Sequence, residues 1–175
     1  LVNRGTLDVT SGDLIFTSNT GSNGGGLKSS GTVNVNTSGD VTFSQNTTTS
    51  SAGAYDNGGT ARFTANAISF TDNTADAGYG GAIFNAGDLT LLGATNVFSG
   101  NTASDSGATK SGGGAIHNRG NTGTSSLIVG TSASTNTFAS NTSNAYGGAI
   151  VSRAYDGADQ DASIVINGTT NFTNN

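Results

Sequence analysis

The sequence predicts an all-β chain, a parallel β-helix (solenoid) of about six coils with three short strands in each. Three observations carry this. A Phe-x-x-Asn motif recurs six times along 175 residues, and a Gly-Gly-Ala-Ile-like motif alternates with it. Short alternating apolar triplets lie between them: Leu7-Asp8-Val9, Val33-Asn34-Val35, Leu89-Thr90-Leu91 and Ile164-Val165-Ile166. Their outer members point to one side and the middle residue to the other, as in a half-buried strand. Helix is excluded by a filler of Gly, Asn, Ser and Thr, all poor helix formers, and by the lack of a 3.6-residue apolar period.

Residues 80–101, GGAIFNAGDLTLLGATNVFSGN, are the template unit. The closing motif pairs Phe16 with Asn19, Phe43 with Asn46, Phe70 with Asn73, Phe98 with Asn101, Phe138 with Asn141 and Phe172 with Asn175. The opening motif reads Gly25-Gly26-Leu27, Gly58-Gly59-Thr60-Ala61, Gly80-Gly81-Ala82-Ile83, Gly113-Gly114-Ala115-Ile116 and Gly147-Gly148-Ala149-Ile150. The predicted coils span residues 1–19, 25–46, 58–73, 80–101, 113–141 and 147–175, one β-helix segment in all. The first unit begins mid-repeat and the last stops on Asn175, so the chain is expected to be processed or excised from a longer one. In the third unit, residues 60–70 read as having lost the middle strand. Extra residues at 120–126 and 155–163, with long connections at 46–57 and 101–112, are expected as corner loops.

A unit of about twenty residues cannot bury a core alone, but stacked copies can. Six coils at about 4.8 Å each make a rod about 25–30 Å long. Stacking turns the motif residues into columns. The six Phe form an aromatic ladder, and the six Asn bond their counterparts above and below. Gly-Gly supplies either a positive φ or a close approach of neighbouring backbones.

Composition narrows the function. The chain has no Cys, hence no disulfide and no thiolate metal site. Its 11 acids are all Asp, and a net charge of −5 argues against a nucleic-acid partner. There is no apolar run long enough for a membrane helix.

The ordered alternation of GGA[ILV] with FxxN resembles the repeats of chlamydial polymorphic membrane proteins and related autotransporter passengers. Gly80-Gly81-Ala82-Ile83, Gly113-Gly114-Ala115-Ile116, Gly147-Gly148-Ala149-Ile150 and all six Phe-x-x-Asn motifs carry the resemblance. It implies a right-handed β-helix held outside the cell by a membrane barrel and acting in adhesion. Chlamydial members often contain Cys, which this chain lacks, and no barrel is present.

With Ile83 inward on the first strand, the next outward column reads Val2, Lys28, Arg62, Phe84, His117 and Val151. Two residues on, the column reads Arg4, Ser30, Thr64, Ala86, Arg119 and Arg153. Five of the six cations and the one His then share a face. The functional reading of Arg4, Lys28, Arg62, Phe84, His117, Arg119 and Arg153 is a basic stripe that binds an acidic glycan, a lipid surface or another rod. The competing reading is that these charges only block lateral aggregation. Lys28 beside Arg62 would be a like-charged neighbour pair, unfavourable unless something binds there.

Asp156, Asp159 and Asp161 are a weak Ca²⁺ candidate whose spacing fits neither an EF-hand nor the nonapeptide repeat. His117 has no Cys or Glu to work with, which argues against a catalytic centre. No continuous T-x-T column of the ice-binding kind is evident. The expected function is a structural and adhesive segment of a secreted or surface-displayed bacterial protein, not an enzyme. It would contact a host or neighbouring cell surface, glycan or protein, through its outer face and corner loops. The alternative is a self-assembling filament or sheath subunit stacking head to tail, and a polysaccharide-active β-helix enzyme ranks last. No cofactor is expected.

Overall fold

The computed structural model describes residues 1–104, 112–120, 124–154 and 161–175. Among them the strands build three parallel sheets, each running from coil to coil. The first sheet stacks Val2–Asn3, Leu27–Ser29, Tyr55–Asn57, Ile83–Asn85, Ile116–Gly120 and Ile150–Ala154. The second holds Thr6–Val9, Thr32–Asn36, Thr60–Thr71, Asp88–Ser99, Ser125–Val129 and Ala162–Ile166. Leu14–Thr17, Val41–Ser44, Thr135–Ala139 and Thr169–Thr173 join it as third strands. A sheet of two-residue strands follows each corner Asn: Thr20–Gly21, Thr47–Thr48, Thr74–Ala75, Thr102–Ala103 and Thr142–Ser143. The chain is thus a parallel β-helix, as the repeat predicts.

Alternation sets the core. Val33, Val35, Leu89, Leu91, Leu127 and Val129 are buried, while Asn34, Thr90 and Ile128 between them face outward. The Phe column runs through this core. Ring centroids of Phe16, Phe43, Phe70, Phe98, Phe138 and Phe172 follow one another at 4.8, 4.7, 5.3, 4.7 and 4.9 Å, with planes 17° apart or less. Each such pair adds about 0.5–1.5 kcal/mol beyond burial.

Three residues after each Phe the chain turns, and the turn has one geometry. The residue before the Asn is left-handed, with φ of 55° at Ser18, Gln45 and Asp72, 66° at Gly100, 54° at Ser140 and 53° at Asn174. This turns each Asn side chain inward. Asn73 shows the pattern. Its Nδ2 donates to Asn101 Oδ1 at 3.0 Å and to the Phe43 carbonyl at 3.0 Å. Its Oδ1 accepts from Asn46 Nδ2 at 3.0 Å and from the Asn46 backbone N–H at 3.0 Å. Both donors and both lone pairs of the amide are therefore used. The same bonds link Asn19 to Asn46, Asn101 to Asn141 and Asn141 to Asn175.

A second Asn ladder lines the first sheet. Asn57 donates to Asn85 at 2.7 Å, and Asn85 to Asn118 at 2.8 Å. The Gly-Gly corner works mainly by close approach. A Cβ on Gly53, Gly81 or Gly114 would strike the carbonyl oxygen of Gly81, Gly114 or Gly148 in the next coil. In the second coil the pair is Gly24-Gly25 rather than Gly25-Gly26, because Gly25 lies against Gly53 and Gly26 takes the place of Ala54; within these pairs only Gly24 and Gly147, each the first residue of its pair, have positive φ.

The third coil corrects the sequence register. Ile83 pairs with Tyr55, Phe84 with Asp56 and Asn85 with Asn57, and Ala52 bridges Gly80. The opening motif is therefore Ala52-Gly53-Ala54-Tyr55, and the coil opens at residue 52 rather than 58. Gly59 belongs to the next corner, where a Cβ would strike the Gly31 carbonyl and where Gly87 in turn sits over Gly59. The middle strand is not lost either. Thr60–Thr71 is one continuous strand that pairs with both Thr32–Asn36 and Val41–Ser44, so what has gone is the turn between the second and third strands.

Replacing Asn73 by Ala strands an amide, a backbone N–H and a carbonyl in the buried corner. Chemical denaturation of Asn73→Ala should show a loss of about 3 kcal/mol, against less than about 0.5 kcal/mol for Thr71→Ala at the outward end of the preceding strand. Equal losses would show that the corner amides do not clamp the coils.

Candidate functional site

The outer face of the first sheet collects most of the residues that the columns leave free. The true register there is Val2, Lys28, Asp56, Phe84, His117 and Val151. Arg62 is not among them. It pairs with Asn34 and Thr90 on the second sheet and is exposed there. The position assigned to Arg62 is held by Asp56, and the expected Lys28–Arg62 repulsion is replaced by an ion pair. Lys28 Nζ lies 3.6 Å from Asp56 Oδ2.

The Lys28–Asp56 pair is lopsided. The Asp56 side chain is 11% exposed and that of Lys28 is 42% exposed. Burial raises the Asp56 carboxyl above its ordinary value of 3.8, and Lys28 only partly offsets this. Beside it, the Tyr55 hydroxyl is pushed well above its ordinary range, first by burial and then by the Asp56 charge. It stays protonated and donates to Asn57 Oδ1 at 3.0 Å.

In the next two coils the face is covered by aromatic rings. Tyr79 ends the connection from the third coil and packs on Phe84 at 5.7 Å and on His117 at 5.5 Å. Phe84 and His117 meet at 5.6 Å. The Arg119 guanidinium lies over both rings, 5.7 Å from the Tyr79 centroid and 5.9 Å from that of Phe84. His117 is therefore not a lone residue on an open face, because Tyr79 folds over it and leaves it fully buried. Arg119 is the register partner of Arg153 on the next strand, and Arg4 follows the first strand at the far end.

Tyr79 is the residue that the repeat register missed. Its local signal is a Tyr directly before the Gly pair, in Tyr79-Gly80-Gly81-Ala82-Ile83 and again in Tyr146-Gly147-Gly148-Ala149-Ile150. Tyr146 is 63% exposed. Of the Ca²⁺ candidates, Asp156 and Asp159 lie outside the described residues, and Asp161 is exposed. Among the described residues no three His or Asp side chains gather as a metal site.

The Chlamydia polymorphic membrane protein repeat matches residues 67–86 and 97–119. Each matched stretch runs through a Phe-x-x-Asn corner, a two-residue strand and a Gly pair to the Asn of the first sheet, Asn85 or Asn118. The chain therefore carries two repeats of this type, on Phe70–Asn73 with Gly80–Ile83 and on Phe98–Asn101 with Gly113–Ile116. No curated protein and no solved structure matches the chain.

The raised Asp56 carboxyl has a definite linkage. Between 3.8 and its higher folded value the folded chain binds more protons than the unfolded one, so stability falls as pH rises through that window. The Asp56→Asn chain should lack this fall and be at least as stable as the parent at pH 7, as denaturation at stepped pH will show. A large loss at pH 7 would show that the ion pair stabilises on balance.

Proposed function

We propose that this chain is a structural and adhesive β-helix segment of a surface-displayed bacterial protein and that it performs no catalysis. The matched repeat belongs to a family of membrane proteins, which supports an association with the cell surface. The observation that carries the adhesive reading is the outer face of the first sheet. Its inner side is bound into Asn and Ile columns, and its outer side carries a patch in which Arg119 packs over Tyr79 and Phe84, with Arg153 its register partner on the next strand. Aromatic rings and Arg are the side chains most enriched where proteins make contacts.

A second reading, axial self-assembly, draws on the Phe column. The ring of Phe172 in the last coil stacks on Phe138 at 4.9 Å and is 53% exposed, a surface on which another coil can continue the column. Size-exclusion chromatography of the 175-residue chain separates the two readings by monomer against polymer.

Beads coated with the chain should attach to host or neighbouring bacterial cells. Reversing Arg119 and Arg153 to Glu should lower attachment by about tenfold, while reversing Arg62 on the second sheet should leave it unchanged. Attachment that is indifferent to the first pair would remove this face from the adhesive surface.

A further inference from the structure

An asparagine followed by glycine is the dipeptide whose side-chain amide is most open to attack by its own main chain, because no Cβ shields the nitrogen that follows. The chain contains it three times, as Asn23-Gly24, Asn57-Gly58 and Asn167-Gly168. The rod holds the three in different ways.

Asn57 is a ladder residue and is fully buried. Its Nδ2 donates to Asn85 Oδ1 at 2.7 Å, and its Oδ1 accepts from the Tyr55 hydroxyl at 3.0 Å. The Gly58 N–H donates to the Ser29 carbonyl of the neighbouring coil at 2.8 Å. The amide carbon and the nitrogen that would attack it are thus both fixed by bonds that must first break. Asn23 leads into the corner of the second coil. Its Oδ1 accepts from the Ser51 hydroxyl at 3.3 Å, and Gly24 is buried there against the Leu27 carbonyl.

Asn167-Gly168 has none of this protection. It forms the corner between Ala162–Ile166 and Thr169–Thr173. Gly168 is exposed, with φ of 86°, and among the described residues its N–H has no hydrogen-bond partner. The Asn167 side chain is half-buried and makes one long bond, from Nδ2 to the Gly130 carbonyl at 3.3 Å.

We propose that Asn167 is a self-modification site, at which the folded chain converts asparagine to isoaspartate and aspartate with water as the co-reactant. The Gly168 nitrogen gives its proton to solvent base and bonds to Asn167 Cγ. The Cγ–Nδ2 bond breaks, and Nδ2 leaves as ammonia after taking up a proton, which closes a five-membered imide. Water then opens the imide, adding its hydroxyl to one carbonyl carbon and its proton to the ring nitrogen. Opening at Cγ leaves aspartate on an intact main chain. Opening at the α-carbonyl leaves isoaspartate, in which the main chain runs through Cβ and Cγ. No step is a redox step, so no oxidant or reductant is needed.

The site ends a third Asn ladder, so the reaction has a structural consequence. Asn96 Nδ2 donates to Asn136 Oδ1 at 2.9 Å, and Asn136 Nδ2 donates to the Asn167 carbonyl at 2.6 Å. In isoaspartate that carbonyl leaves the main chain as a free carboxylate, and the path from strand to strand gains a methylene. The corner acquires a negative charge and a longer connection. The Phe138–Phe172 stack and the Asn141–Asn175 bond lie outside the altered linkage. The inference goes beyond the adhesive reading and does not depend on it.

Incubation of the 175-residue chain at mildly alkaline pH tests this, once folded and once in denaturant. Peptide mapping by mass spectrometry follows each Asn-Gly pair, and an isoaspartate methyltransferase labels the isoaspartate product. In the folded chain Asn167 should convert about tenfold or more faster than Asn57, which reacts only when its coil opens. It should also convert faster than Asn23. In denaturant the three rates should come within about twofold of one another, because the fold no longer separates them. The Asn167→Gln chain should lose the fast methyl label. Conversion of Asn167 no faster than that of Asn57 in the folded chain would overturn the proposal. So would a rate difference that persists unchanged in denaturant, because the fold would then not be its source. A fast label that survives in Asn167→Gln would place the reaction elsewhere and overturn it as well.

Discussion

The buried Asn amide at the corner is the constraint on which the rest of this rod depends. A β-helix must turn sharply between strands, and a sharp turn leaves backbone groups that no ladder pairs. Here the left-handed residue before each Asn makes the turn. The Asn then takes up what the turn exposes: the N–H of the Asn in the coil before it and the Phe carbonyl of that same coil. Because the amide has two donors and two acceptors, it meets its own needs by meeting those of its neighbours. Each interior Asn contacts the coil before and the coil after, so the corner is also the register device. A coil offset by one residue would bring a left-handed Ser, Gln or Asp to the amide position and leave buried donors unpaired. The left-handed turn is itself unfavourable for Ser18, Gln45, Asp72 and Ser140, by about 1–2 kcal/mol each. The bonds that follow it must offset that strain.

This arrangement explains how so little apolar surface suffices. Hydrophobic residues are only 33% of the chain, and the core is a few columns wide. Columns of Phe, of aliphatic residues and of Asn replace the three-dimensional packing of an ordinary domain, and each coil needs only its neighbours. The second Gly of each pair belongs to the same economy. A Cβ there would meet the next coil's carbonyl, so the glycine column sets how closely the coils approach at that corner. Growth of the rod is then a local matter, and so is insertion. The interval between successive Phe is 27 residues in the early coils and 40 between Phe98 and Phe138, yet those two rings still stack at 4.7 Å.

The columns were legible in the sequence because each is made by identical or nearly identical residues at one register position. Phe-x-x-Asn needs no knowledge of the fold to be found. The third coil was misread for the complementary reason. Gly58-Gly59 looks like the opening motif, but the coil's own opening pair has become Ala52-Gly53, and its inward aliphatic residue has become Tyr55. Identity failed there, while a spacing held. Asn3, Ser29, Asn57, Asn85 and Asn118 each stand two residues before a Gly that closes the corner between the first and second strands. That spacing, read as a ladder residue plus a close-approach glycine, places Asn57 correctly and moves Arg62 to the second sheet. Tyr79 was hidden for a different reason. It lies in a connection, outside any column, and only its contacts with Phe84, His117 and Arg119 show that the connection folds back on the rod.

The division between constrained and free positions also gives the outer face its meaning. Every inward residue of the first sheet answers to a column, so variation in coil after coil is confined to outward positions and connections. If solubility were the only demand, acids would serve as well as bases there, and a chain of net charge −5 has more acids to place. Among the described residues the outward columns instead hold four cations and one carboxylate, and that carboxylate is raised by burial and paired with Lys28. The half-buried rings of Tyr79 and Phe84 lie under Arg119. The contacts among them run between coils, as Phe84 with His117 and Arg119 and Lys28 with Asp56, and so also tie one coil to the next.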